Sequence, residues 1–240
     1  MDNKTFIASF REAFGENTQL PIAFWYSDRA IADTAKTSGC FFKHLNDIAN
    51  GTPVSLTGET IGCGGGKFYC GFTDMPEFVP QFVSQKEHYK ETPEMVVDMI
   101  EGLDVSKASA NFLNFTRIDN LTSFDKVEAL LFLTTPDILS GLATWAFFDR
   151  NEPDVVSSIF GSGCSNVVTQ GINENRNNGY RSFIGFFDPS VRPHVNADIL
   201  SFVVPMSRFR VMLQTMRKSC LFDTHAWDKV RQRIIDNQII

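Results

Sequence analysis

The sequence predicts an α+β fold: one domain over residues 1–240, with a mixed, largely antiparallel sheet covered by helices. Three observations predict it. Strand-like runs and helical spacings are interspersed without the regular strand–helix–strand alternation of a parallel sheet. The stretch Lys126 to Leu133 is almost wholly apolar, as a central strand is. Arg181 to Phe187 and Asp198 to Val204 flank the turn-rich Asp188-Pro189-Ser190-Val191-Arg192-Pro193, the pattern of a long hairpin or of an excursion on a sheet edge. The length of 240 residues fits one large domain.

The elements follow in order. Phe6, Phe10 and Phe14 recur at four-residue spacing, predicting a helix from about Thr5 to Phe14 that Gly15 ends. Ile22 to Tyr26, after Pro21, reads as a strand. Ser38 is placed to cap a helix from about Cys40 to Ala49, with Phe41, Phe42, Leu45 and Ile48 as its apolar stripe and Gly51 as its stop. Gly62 to Gly66 is a loop by composition, and Lys67 to Phe72 a strand leaving it. Thr92-Pro93-Glu94 opens a helix ending near Gly102, with Pro93 in its first turn. Asn111 to Ile118 is a further strand. Thr135-Pro136-Asp137 starts a helix through Leu142, Trp145 and Phe148. Pro205 opens another that carries Met206, Phe209, Leu213 and Met216. The last follows Thr224 and buries Trp227, Val230 and Ile234.

Composition narrows the function classes. Hydrophobic residues at 43% and charged residues at 21% support a sizeable core, and 23 phenylalanines make much of it aromatic. The net charge of -6, with no long run of Lys and Arg, argues against a nucleic-acid surface. Met1-Asp2-Asn3-Lys4-Thr5 lacks the basic-then-apolar order of a signal peptide, and the longest apolar runs are too short to span a bilayer. The expectation is a soluble, cytoplasmic chain that meets no membrane. Its five cysteines, an odd number, are then reduced, buried, catalytic or metal-bound rather than a disulfide framework.

Three cysteines stand out by their small neighbours: Ser38-Gly39-Cys40, Gly62-Cys63-Gly64-Gly65-Gly66 and Gly161-Ser162-Gly163-Cys164. The glycine run beside Cys63 lets backbone amides turn toward an anion, a thiolate or a cluster sulfide. It is not a nucleotide P-loop, because Ile61 stands where the first glycine belongs and Phe68 follows Lys67. Its plain alternative is a hairpin or a tight crossing of two backbones. Cys40 falls near a predicted helix N-terminus, where free amides lower a thiol's pKa. His44 shares that helix face, as a ligand partner or as a surface histidine. Gly-Ser-Gly-Cys-Ser around Cys164 is like loops that present a nucleophile, without being Gly-x-Ser-x-Gly. Cys70, six residues after Cys63, is too far for a C-x-x-C pair and reads as packing in an aromatic strand; Cys220 reads as structural. Arg192 is either a turn residue paired with Asp188 or a fork for a ligand carboxylate or phosphate.

The order of these segments resembles a known family, the uncharacterised ArCR-type proteins of domain-of-unknown-function family 169. The resemblance rests on Cys40 and the helix ending at Ala49-Asn50-Gly51, then Cys63-Gly64-Gly65-Gly66 with Gly71. It continues through 126–133, Pro136-Asp137, Cys164, and 185–192. It ends with 200–205, Ser219-Cys220-Leu221 and Trp227. The family has no settled activity. What the resemblance implies is a selection among the cysteines: Cys40, Cys63 and Cys164 match its pattern, whereas Cys70, Cys220 and His44 fall outside it.

Three readings stand side by side. In the first, thiolates of Cys40, Cys63 and Cys164 bind zinc or an iron–sulfur cluster, with the amides of Gly64 and Gly65 helping to hold it, and act on a small molecule. In the second, no metal is present; Cys40 or Cys63 is a nucleophile or redox thiol and Arg192 binds an anionic substrate. In the third, the cysteines merely pack in a domain that binds or senses a small molecule.

Overall fold

A computed structural model of the chain describes residues 2–33 and 39–237. The expected cap at Ser38 lies outside the described residues. The fold is α+β and is organised by one seven-stranded sheet of order β2-β3-β1-β4-β7-β6-β5. Its strands are β1 (Ile22–Ser27), β2 (Val54–Leu56), β3 (Phe112–Arg117), β4 (Ala129–Thr134), β5 (Val156–Ser157), β6 (Ser182–Gly185) and β7 (Leu200–Pro205). Among the described residues every pairing is antiparallel except the short β5–β6 edge. The apolar run around β4 lies mid-sheet, between β1 and β7. The two strands flanking the turn-rich segment do pair, with Phe183 opposite Val203 and Gly185 opposite Ser201.

The sheet is buried on both faces, and the period-2 alternation of strand side chains divides it. Ala23, Trp25, Leu130, Phe132, Phe202 and Val204 belong to one core. Ile22, Phe24, Ala129, Leu131 and Val203 belong to the other. The first core is covered by α1 (Asn3–Phe14), α6 (Pro136–Phe147), α8 (Met206–Thr215) and α9 (His225–Asn237). The phenylalanine spacing of α1 is spent here: Phe6 meets Phe209 edge-on at 5.0 Å, and Phe14 meets Trp227 at 5.2 Å. Asp2 accepts the Thr5 amide at 2.8 Å, so this helix starts two residues before the position its apolar spacing predicts.

The second face carries α2 (Leu45–Ala49), α3 (Gly64–Tyr69) and α7 (Gln170–Arg176), the last preceded by a π-helical turn at Ser165–Thr169. Outside this layer, α4 (Val79–Gln85) packs on α5 (Pro93–Gly102) through Val79, Val96 and Ile100, with Phe68 bridging to the second core. Thr92 caps α5 as expected, accepting the Met95 amide. No helix among the described residues is long and apolar enough to cross a membrane.

Two local expectations are overturned. The helix from Cys40 to Ala49 is split into a 3₁₀ turn, Phe41–His44, and the short α2. The expected loop at Gly62–Gly66 and strand at Lys67–Phe72 are instead the helix α3, with Cys63 as its N-cap. Three glycines disfavour a helix by about 1 kcal/mol each, so the local signal is a loop. Tertiary contacts win: Tyr69 and Cys70 are buried, and Tyr69 O accepts the Thr169 hydroxyl at 2.8 Å. The helix stops at Gly71, whose φ of 71° suits glycine and where a Cβ would lie 2.4 Å from Ser106 O.

Candidate functional site

The space between the second face and the α4–α5 pair is a cavity of about 290 Å³. That is near the lower end of the roughly 300–1,000 Å³ typical of small-molecule sites. Cys40, Cys63 and Cys164 all line it, together with Gly64 and Gly65. Three distant segments are brought together here. Cys40 precedes the 3₁₀ turn, Cys63 caps α3, and Cys164 stands at the head of the π-helical turn. Gly163 permits this convergence: a Cβ there would lie 2.9 Å from Val191 Cγ2 and 3.0 Å from Phe42 Cε2.

The Cys40 and Cys164 thiols lie close enough to act on each other. The contact pushes their pKa values apart. Cys40 is lowered, first because Cys164 donates to it, then because the Phe42 amide and the Lys43 charge favour its thiolate; burial and the nearby Asp188 charge oppose this. Cys164, buried in the second core, is pushed well up by the same contact and by burial. Cys40, half-buried, is therefore the one of the two that ionises more readily, and Cys164 the one that keeps its proton longer. Cys63 is turned to its own helix: its Sγ accepts the Gly66 amide at 3.4 Å.

A zinc ion or iron–sulfur cluster needs deprotonated sulfurs converging on one point. Among the described residues, no group of three or more His, Cys, Asp or Glu side chains is placed to hold a metal ion. The three cysteines share a cavity, but the metal or cluster expected there has no support in this geometry.

The remaining candidates separate cleanly. Arg192 does not line the cavity. Its guanidinium donates to the carbonyls of Ile199 (2.5 Å), Ala197 (2.6 Å), Asn196 (3.2 Å) and Phe186 (3.4 Å). It clamps the excursion between β6 and β7, which leaves the substrate-binding expectation without geometric support. His44 does not line the cavity either. Cys70 is fully buried behind it, its thiol pushed up by burial, and packs as expected, though at a helix end rather than in a strand. Cys220 packs against the opposite core.

Sequence reasoning missed the polar wall of the cavity. Asp188 is buried; its Oδ1 accepts the Ser190 hydroxyl, and its Oδ2 has no hydrogen-bond partner. Tyr89 is in hydrogen-bond contact with Glu87 and Ser190. Burial, then the Glu87 contact, pushes the Tyr89 hydroxyl up to about 12. Phe78, Phe82 and Phe160 line the mouth and stay exposed at 60%, 45% and 41%, which marks them as a surface that does not complete the core. A four-residue Phe spacing in α4 was the available signal for the mouth. Nothing local distinguishes Asp188 from an ordinary turn aspartate.

Fold and site together define a class: an α+β protein whose helical layer encloses a paired-thiol cavity. The chain belongs to the family described as uncharacterised ArCR, domain-of-unknown-function family 169, which residues 16–215 match. That span includes the whole cavity lining and stops before Ser219-Cys220-Leu221 and Trp227. No curated protein and no solved structure matches the chain.

Proposed function

We propose that the protein is a metal-free thiol enzyme, with Cys40 as the nucleophile toward a small, largely apolar molecule. The observation that carries this reading is the Cys40–Cys164 contact at the wall of a ligand-sized cavity. Two like groups whose pKa values are pushed apart take opposite roles. Cys40 attacks; Cys164 stabilises the thiolate by donating to it and stands ready to attack a mixed disulfide on Cys40. The aromatic mouth selects an apolar body and limits water around the thiolate. Cys63 lines the cavity as an N-cap sulfur and is not required for the attack.

The test uses 2,2′-dithiodipyridine, a neutral aromatic disulfide. The Cys40 thiolate attacks one sulfur, a new S–S bond forms on Cys40, and one thiopyridone leaves with the electron pair. Cys164 then displaces the second thiopyridone, losing its proton and closing a Cys40–Cys164 disulfide. Peptide mapping is expected to place the first adduct on Cys40 and the final bridge between Cys40 and Cys164. Cys40→Ser is expected to lose the fast phase. A fast phase that survives in Cys40→Ser, or that maps to Cys63, contradicts the assignment.

A further inference from the structure

The charge of the cavity lining is one-sided, although Lys43 acts on Cys40 and Lys90 stands over the Phe160 ring at 5.3 Å from outside that lining. The described lining contains the carboxylates of Asp188 and Glu87 and no lysine, arginine or histidine. Asp188 is 1% exposed, and its Oδ2 has no partner although Oδ1 is taken by Ser190. A buried carboxylate oxygen is strongly disfavoured unless a donor or a cation meets it. The nearest arginine in sequence, Arg192, is committed to backbone carbonyls and does not supply one. Around these groups stand the rings of Phe42, Tyr69, Phe78, Phe82, Tyr89 and Phe160. Aromatic rings accept an apolar body and also attract a cation.

We propose that the cavity binds a small organic cation: an amine with an apolar body of about one aromatic ring, its ammonium donating to Asp188 Oδ2. The body lies against Phe78, Phe82 and Phe160. Glu87 contributes a second negative charge, linked to Asp188 through Tyr89 and Ser190. This deepens the thiol reading and rests on it only in placing the ligand beside Cys40. An anionic ligand is disfavoured by both carboxylates of the lining.

Isothermal titration of the intact protein tests it with three probes of similar size: 2-phenylethylamine, the neutral 2-phenylethanol and the anionic 3-phenylpropanoate. The amine is expected to bind about tenfold tighter than the alcohol or better, because a charge-assisted bond replaces a neutral one. The propanoate is expected not to bind. Asp188→Asn keeps the shape and removes the charge; it is expected to weaken amine binding about thirtyfold, as for loss of one partner of a buried charged pair. It leaves the alcohol unaffected. Equal affinity for amine and alcohol, preference for the anion, no amine binding at millimolar concentration, or unaltered amine affinity in a folded Asp188→Asn protein would each overturn the proposal. The three-probe comparison on the wild type stands whether or not the variant folds. Fast disulfide exchange at Cys40 without amine preference refutes this inference alone. Amine preference with slow exchange refutes the thiol reading alone.

Discussion

Cys40 owes its character to one neighbour. The largest influence on its thiol is the Cys164 hydrogen bond, ahead of burial and of the Phe42 amide. Replacing Cys164 with Ala removes the donor and is expected to raise the Cys40 pKa, whereas Cys164→Ser keeps an O–H donor and preserves most of the lowering. Arg192 is a different case, in which an apparent ligand fork serves structure. Its four carbonyl contacts hold the excursion that carries Asp188 and Ser190 to the cavity wall. Arg192→Ala is expected to cost about 2 kcal/mol of stability, read by urea unfolding, because four carbonyls, two of them in part-buried bonds, lose their donor. Arg192→Lys rescues little, since a point charge cannot serve four acceptors. Both outcomes turn on contacts between residues far apart in sequence or across a loop, which is why Cys40 and Cys164 were each visible as candidates and their pairing was not.

Helix α3 shows where a local signal loses to packing. Cys63-Gly64-Gly65-Gly66 carries the composition of a loop, yet these residues form an N-cap and a first turn. A Cβ at Gly65 would meet only Cys63 Sγ at 3.9 Å and Tyr69 at 4.0 Å, which is ordinary contact. Gly65→Ala is therefore expected to stabilise the fold by about 1 kcal/mol in thermal or urea unfolding, through helix propensity. A lid that needed glycine flexibility would give the reverse. Gly71 behaves oppositely. Its φ is 71° and the space for a Cβ is filled by Ser106 O and Ala108 N, so Gly71→Ala is expected to cost about 2 kcal/mol or more. The helices with aromatic or capped patterns, α1, α5, α6, α8 and α9, were legible because their spacing and caps act over a few residues. The short elements β2, β5 and α4 were not, since two to seven residues offer too little periodicity.

Over the whole molecule, the two-faced sheet explains what the sequence could and could not reveal. A strand buried on both sides reads as a continuous apolar run, and the run around β4 made the sheet's centre legible. The division into two cores is set by alternation within each strand, and the cavity arises only once the α4–α5 pair is laid over the second core. On the opposite face, Arg208 is 1% exposed and paired with Asp149, which joins the end of α6 to α8. The Arg208 contact holds the Asp149 carboxyl below its usual value of 3.8, against burial. A depressed carboxyl stabilises the fold above its unfolded value, and that contribution is lost as the pH falls through the folded one. Asp119, beside Arg117, acts in the same sense. Unfolding free energy is thus expected to decline below about pH 4 and to do so less steeply in Asp149→Asn. Asp149→Ala at neutral pH leaves a buried guanidinium uncompensated and is expected to cost about 3 kcal/mol.

The thiol pair carries the proposed chemistry. The most direct measurement is the rate of Cys40 alkylation by iodoacetamide as a function of pH, followed by peptide mass spectrometry in the wild type and in Cys164→Ala. The predicted result is a wild-type midpoint below the ordinary thiol value of 9.0, moved upward when Cys164 is replaced. A midpoint at or above 9.0, or one that Cys164→Ala leaves in place, would contradict it.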